Sequence, residues 1–169
     1  ISDRNVSDTC TEIHMALRRH PEYRQLFADR VYRHFFNEGA LTPERTGKVL
    51  ESHVDLIDQA IVGESARWGG LLRPGNPYDR NDWLDEVAKL QGNYLSRRTG
   101  IALGQFKNDG LYPGVSPPVF LPQRGGQVPA GTPVILESDS GGTIYYTLDG
   151  SDPRLAGGGV SGSALEFFE

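Results

Sequence analysis

The chain has 169 residues and a formal net charge of −5, with 37% hydrophobic and 23% charged residues. This composition is typical of a folded protein with one domain or two small ones, and the acidic balance argues against nucleic-acid binding, which needs clustered Lys and Arg. No apolar run approaches the length of about twenty residues that spans a bilayer, so we expect no membrane insertion.

Apolar residues recur at helical spacing through the first two thirds of the chain. His20 followed by Pro21 ends a first short helix and begins a second, and Gly39 is expected to close this second helix in a left-handed cap. Thr42 and Pro43 then have the residue types of an N-cap and a first helical residue. The apolar stripe of the second helix consists of Tyr23, Leu26, Phe27, Val31 and Phe35.

A third, long helix is predicted to follow Pro43 and to end near Trp68-Gly69-Gly70, before the turn-rich stretch RPGNPYDRN at 73–81. A fourth stripe over 83–95 and a short helix near 99–109 complete a helical hairpin or bundle. The stripes consist of Leu50, Val54, Ile57 and Ile61 in the third helix, and of Trp83, Leu84, Val87, Leu90, Tyr94 and Leu95 in the fourth.

The last third of the chain has a different composition. Eleven of the 21 glycines lie within 113–169, and PGVSPP at 113–118 is typical of a stiff linker because proline fixes φ and cannot donate a hydrogen bond. Short β-rich runs follow, bounded by Gly and Pro. We therefore predict separate α and β domains: a helical part over 1–112, a linker over 113–118, and a partial antiparallel β-sandwich over 119–169.

The stretch TIYYTLDGSDP at 143–153 has three interpretations: a calcium loop, a phosphate-binding loop, or a structural turn. Pro153 breaks the spacing that calcium ligands need, and no helix follows to hold a phosphate. The residues favour a structural turn formed by Asp149, Gly150, Asp152 and Pro153, with Asp149-Gly150 as a two-residue type I′ hairpin.

This stretch also resembles the signature of the chitobiase/β-hexosaminidase C-terminal-like module, in which an IYYT strand runs into a DGSDP turn. The resemblance covers about 117–169 and implies a fibronectin-like or immunoglobulin-like β-sandwich, here incomplete because LAGGGVSGSALEFFE leaves little room for further strands. Such modules are accessory domains without catalytic residues.

The helical part resembles the C-terminal helical region of the CotH-like kinase family. The similarity covers about 8–120 and rests on HPEYRQLFADRVYRHFFNEGALTPER, IDQAIVGESARWGG and the junction GLYPGVSPPVF. It implies a non-catalytic segment of a large bacterial secreted or cell-surface protein, in which the β module acts as a spacer or binding domain. A fragment of an ATP-dependent kinase whose catalytic residues lie upstream, or a carbohydrate-binding module, are the alternatives.

The remaining polar and aromatic residues carry no catalytic, cofactor or metal motif. The histidines lack the spacing of zinc ligands, so surface or hydrogen-bonded roles are favoured over a metal site. Trp68 and Trp83 are open to two interpretations, a sugar platform or packing of a loop onto the core, and the second is favoured. The role of Cys10 stays open. The partners implied by the resemblance are an upstream kinase-like domain and a protein or glycan ligand. The histidines are His14, His20, His34 and His53.

Overall fold

The structure is a computed structural model that describes residues 11–121, 126–139 and 141–168. Helices precede short antiparallel strands, so the predicted α + β organisation is confirmed. The helices are α1 (Glu12–Leu17), α2 (Pro21–Phe35), α3 (Pro43–Leu72), α4 (Arg80–Lys89), a π-helical segment (Leu90–Leu95) and α5 (Ser96–Asn108). The strands are β1 (Val119–Leu121), β2 (Ile135–Glu137), β3 (Ile144–Tyr146) and β4 (Leu165–Phe167).

Contacts within the chain define two compact units. One is the helical unit Asp29–Asn108, and the other, the β-containing unit, combines the described residues up to Ala28 with those from Asp109 onward. Residues 113–118 belong to the β-containing unit and are not helical. The division of the chain into sequence domains at this segment stays a prediction.

The helical unit is an antiparallel hairpin of α3 against the run formed by α4, the π-helical segment and α5. Arg80 binds Asp58 through two hydrogen bonds of 2.7 and 2.9 Å, and the Gln91 amide donates to the Glu51 carboxylate at 3.0 Å. Gln91 follows Arg80 in the chain, whereas its partner Glu51 precedes Asp58 in α3. The two helical runs are therefore antiparallel, and these pairs fix their register.

The start of α3 follows the predicted capping pattern. The Thr42 side chain accepts a hydrogen bond from the Arg45 backbone N–H at 3.4 Å and donates to the Gly39 carbonyl at 3.0 Å. Thr42 is only 4% exposed, and Pro43 is the first helical residue. The cap therefore satisfies backbone groups that the helix itself leaves unpaired.

The prediction that Gly39 closes α2 in a left-handed conformation is wrong. The positive φ belongs to Asn37, at 56°, a residue type that tolerates this region. Gly39 is instead needed because the chain passes close to the backbone at the end of α2. A Cβ at Gly39 would lie 2.4 Å from the His34 carbonyl oxygen.

Two predicted helix boundaries in the hairpin also differ from the structure. The third helix ends at Leu72, two residues beyond Gly70, so both glycines keep helical geometry. The separate stripes over 83–95 and 99–109 form one uninterrupted helical run over 80–108. Its π-helical middle, over 90–95, changes the hydrogen-bond period from four residues to five, which a 3.6-residue pattern does not reveal.

In the β-containing unit, α1 packs on the first turns of α2. The His14 imidazole lies 2.7 Å from the Tyr23 hydroxyl, and Arg18 donates to the Asp109 carbonyl at 3.2 Å. Leu111 and Tyr112 are 2% and 6% exposed. These contacts anchor the stretch that leads into the strands.

The four strands form two antiparallel pairs, β1 with β2 and β3 with β4. Ile144 lies opposite Phe167 and Tyr146 opposite Leu165, so the partner of β3 comes from the glycine-rich end of the chain and not from the residues after Asp149-Gly150. The prediction of a two-residue hairpin at this position is therefore wrong.

Candidate functional site

A cleft of about 550 Å³ lies between the C-terminal half of α3 and helix α4, closed at one end by the turn over 73–79. We call it the tryptophan cleft, because both tryptophans of the chain line it. All of its lining residues belong to the helical unit. They include Glu64, Trp68, Gly69, Arg73, Tyr78, Asp79, Asp82, Trp83, Asp85, Glu86 and Lys89.

Gly69 allows the turn to close onto α3. This glycine is buried, and a Cβ at its position would lie 2.3 Å from the Tyr78 carbonyl oxygen. The Tyr78 backbone N–H donates to the Gly69 carbonyl at 3.4 Å. The absence of a side chain at this one position thus places Tyr78 directly against the helix and shapes the end of the cleft.

Arg73 holds the turn from within. Its guanidinium donates to the Asn76 and Pro77 carbonyls, pairs with the Asp82 carboxylate at 2.7 Å, and stacks 4.0 Å from the centre of the Tyr78 ring. One arginine therefore links the end of α3, the turn and the start of α4. Its planar guanidinium suits stacking and hydrogen bonding at the same time.

A capping box orients the start of α4. Asp79 accepts from the backbone N–H groups of Asn81 and Asp82 at 2.7 and 3.0 Å, while the Asp82 carboxylate accepts from the Asp79 N–H at 3.0 Å. That backbone hydrogen bond, together with the one from Arg73, lowers the pKa of the Asp82 carboxyl. Asp79 and Asp82 are thus occupied in holding the wall of the cleft.

Of the three other carboxylates of the cleft, one forms an ion pair and two do not. Glu86 pairs with Lys89 at 2.6 Å, and this hydrogen bond, with the negative charge of Asp85, raises the pKa of Lys89. Within the described part of the chain, Glu64 and Asp85 make no hydrogen bond or ion pair. These two carboxylates are available to a ligand.

The aromatic side chains are accessible from solvent. Trp68 is 41% exposed and Tyr78 is 45% exposed, while Trp83 is half-buried. The Arg67 guanidinium lies 4.8 Å from the centre of the Trp68 ring system. Trp68 is therefore not a core residue, contrary to the favoured interpretation of the sequence, and the cleft presents indole and phenol surfaces beside carboxylates.

The predicted structural turn is a corner stabilised by aspartate side chains. Gly150 has φ of +77°, whereas Asp149 is not among the residues with positive φ, which excludes the type I′ geometry. Asp149 accepts from the Ser151 hydroxyl and N–H at 2.6 and 2.9 Å. Asp152 accepts from the Arg154 N–H at 2.9 Å, immediately before Pro153. The backbone is thus turned twice by carboxylates that accept from N–H groups two residues ahead.

These hydrogen bonds also favour the ionised form of both carboxyl groups of the corner. The Ser151 hydroxyl and N–H lower the pKa of the Asp149 carboxyl, and the Arg154 side chain and N–H lower that of Asp152. Among the described residues no group of three His, Cys, Asp or Glu side chains is placed to hold a metal ion.

None of the four histidines considered from the sequence lines the tryptophan cleft. His14 contacts the Tyr23 hydroxyl, and His53 lies 2.7 Å from the Val49 carbonyl in its own helix. Cys10 lies outside the described residues. The placement of Trp68 and Trp83 in one cleft is compatible with the platform interpretation, which the sequence analysis considered but did not favour; their positions on either side of a short interhelical turn were a usable signal for it.

Comparison with known proteins gives one family match. A model of the Fn3 associated family matches residues 134–161, a range that contains β2, β3 and the aspartate corner. This agrees with a fibronectin-like or immunoglobulin-like β module in the last third of the chain. No curated protein and no solved structure matches. None of the described helices has both the length and the apolar character required to cross a bilayer.

Proposed function

We propose that the chain is a non-catalytic binding segment of a large bacterial secreted or cell-surface protein of the CotH-like type. The helical unit provides the ligand site, and the β module serves as an accessory domain. The proposal is supported by the sequence resemblance over about 8–120 and by the Fn3 associated match over 134–161.

One observation carries the binding role. Trp68 and Trp83, which come from different helices, line the same cleft together with two unpaired carboxylates, Glu64 and Asp85. Ligand sites in proteins combine apolar and aromatic walls with a few polar groups that fix orientation. A spacer has no need of such a site, so the cleft favours binding over a purely structural role.

Tryptophan emission tests this proposal directly, because both tryptophans of the chain lie in the cleft. The purified chain is titrated with neutral oligosaccharides and with short peptides of either charge. We expect a saturable change in emission with at least one of these probes. A Trp68→Ala, Trp83→Ala variant has no tryptophan emission, so its binding is followed by backbone amide NMR resonances, which should no longer respond to that probe. The absence of a saturable response to every probe contradicts the binding role.

A second arm addresses catalysis. The same preparation is incubated with ATP and magnesium, since phosphoryl transfer requires groups that position the phosphates and neutralise their charge. We expect no turnover above that of the buffer. Magnesium-dependent turnover that persists through successive purification steps contradicts the non-catalytic assignment.

A further inference from the structure

We infer that the tryptophan cleft binds a cationic group, the guanidinium of an arginine side chain in a peptide partner. The inference rests on the proposed binding role and names the chemical class of the ligand. It follows from the charge of the lining residues and from the way in which the cleft already holds its own arginine.

The lining of the cleft is acidic. Glu64, Asp79, Asp82, Asp85 and Glu86 oppose Arg73 and Lys89, which leaves three negative charges in excess. A neutral ligand gains nothing from this excess, whereas a cation is attracted to it over roughly one Debye length, about 8–10 Å at ordinary ionic strength.

The inner end of the cleft shows the mode of recognition. The Arg73 guanidinium stacks 4.0 Å from the Tyr78 ring centre and binds the Asp82 carboxylate at 2.7 Å. An aromatic face and a carboxylate thus hold one guanidinium together, through cation–π attraction and a charge-assisted hydrogen bond.

The outer part of the cleft has the same residue types, and the Arg67 guanidinium, which is not part of the cleft lining, lies 4.8 Å from the centre of its Trp68 ring system. Glu64 and Trp68 are four residues apart on α3 and therefore lie on one face of the helix. Trp83 and Asp85 belong to the opposite wall. Glu64 and Asp85 make no hydrogen bond or ion pair among the described residues, so an incoming guanidinium would find two such carboxylates and two indoles in the lining of the cleft.

The probe is an acetylated, amidated hexapeptide, Gly-Arg-Gly-Gly-Arg-Gly, compared with the same peptide in which citrulline replaces arginine. Citrulline keeps the size and planarity of the side chain and removes its charge. The readout is the pair of indole N–H resonances of the ¹⁵N-labelled full chain. We expect saturable shifts of both resonances with the arginine peptide, at least tenfold weaker binding of the citrulline peptide, and weaker binding at high salt.

The variant Glu64→Gln, Asp85→Asn removes both unpaired carboxylates and should weaken arginine-peptide binding roughly tenfold. Asp55→Asn is the matched control, because Asp55 is an exposed acidic residue of α3 outside the cleft lining, and it should leave binding nearly unchanged. Indole spectra of the free variants establish that each is folded.

Three results overturn the inference: equal binding of the two peptides, unchanged binding in the Glu64→Gln, Asp85→Asn variant, or no shift with the arginine peptide. If a neutral oligosaccharide shifts the indole resonances and the arginine peptide does not, the binding role stands and the cationic ligand class is wrong. If no probe shifts them, both fail.

Discussion

Replacing Gly69 with alanine should destabilise the helical unit, although alanine is the better helix former. A Cβ at this position would lie 2.3 Å from the Tyr78 carbonyl oxygen, so the 73–79 turn must move by at least about 0.7 Å to reach the 3.0 Å limit of real contacts. The gain in helix propensity is about 0.5–1 kcal/mol, and forcing apart a packed contact costs about 1–3 kcal/mol. We expect a net loss of up to about 2.5 kcal/mol in the free energy of unfolding, with a central value near about 1 kcal/mol.

Gly63→Ala is the matched control in the same helix. No atom lies within 4 Å of a Cβ at Gly63, so this variant should gain about 0.5–1 kcal/mol from propensity alone. Urea unfolding followed by far-ultraviolet circular dichroism at fixed m-value gives both differences. If Gly69→Ala is stabilised as much as Gly63→Ala, the close approach of Tyr78 to α3 is refuted.

Further expected outcomes concern the corner, the hairpin and the cap. Gly150→Val should destabilise the β-containing unit by about 1–2 kcal/mol, because φ is +77° there and a Cβ is disfavoured in that region. The pKa of Asp58 is lowered from 3.8 by its hydrogen bond to Arg80; the pair should therefore stabilise the hairpin above pH 3.8, and this contribution should be lost as the pH falls through the lower, folded-state pKa. Thr42→Ala should lower the free energy of unfolding by about 1 kcal/mol through loss of the N-cap of α3.

Each of these has its own check. Gly162→Val is the control for Gly150, since Gly162 has open space and an ordinary φ; equal thermal stability of the two variants would contradict the turn assignment. The free energies of unfolding of wild type and Asp58→Asn should converge as the pH falls below 3.8. Curves of stability against pH that stay parallel would show that the ion pair is not linked to folding. A Thr42→Ala protein with unchanged urea midpoint would mean that the cap does not stabilise α3.

The helices were predictable from the sequence because their apolar residues repeat at helical spacing and their starts carry capping residues. Thr42 and Pro43 alone locate the start of α3. The end of α3 was not predictable in this way, because Gly69 is a poor helix former whose reason for being there is the carbonyl of Tyr78, a contact made only in the folded hairpin. The same holds for the π-helical segment 90–95.

The strand pairing and the shared cleft could not be derived from the sequence for a related reason. β3 pairs with β4, which lies beyond a glycine-rich stretch, whereas the local Asp149-Gly150 signal favoured a neighbouring strand. Trp68 and Trp83 are separated by the turn that Arg73 organises, and only its closed geometry brings both indoles to one cleft. Local patterns specify elements, but pairings between distant residues depend on packing.

The central claim, that Trp68 and Trp83 share one binding cleft, is tested most directly with two single-tryptophan proteins. Trp68→Phe and Trp83→Phe each keep an aromatic ring at the substituted position and leave one indole as the reporter. Both are titrated with the arginine hexapeptide while the emission of the remaining tryptophan is followed. The account predicts that both reporters respond and give the same Kd within about threefold, since one aromatic face replaces another of similar kind. A saturable response from one tryptophan with none from the other would contradict it.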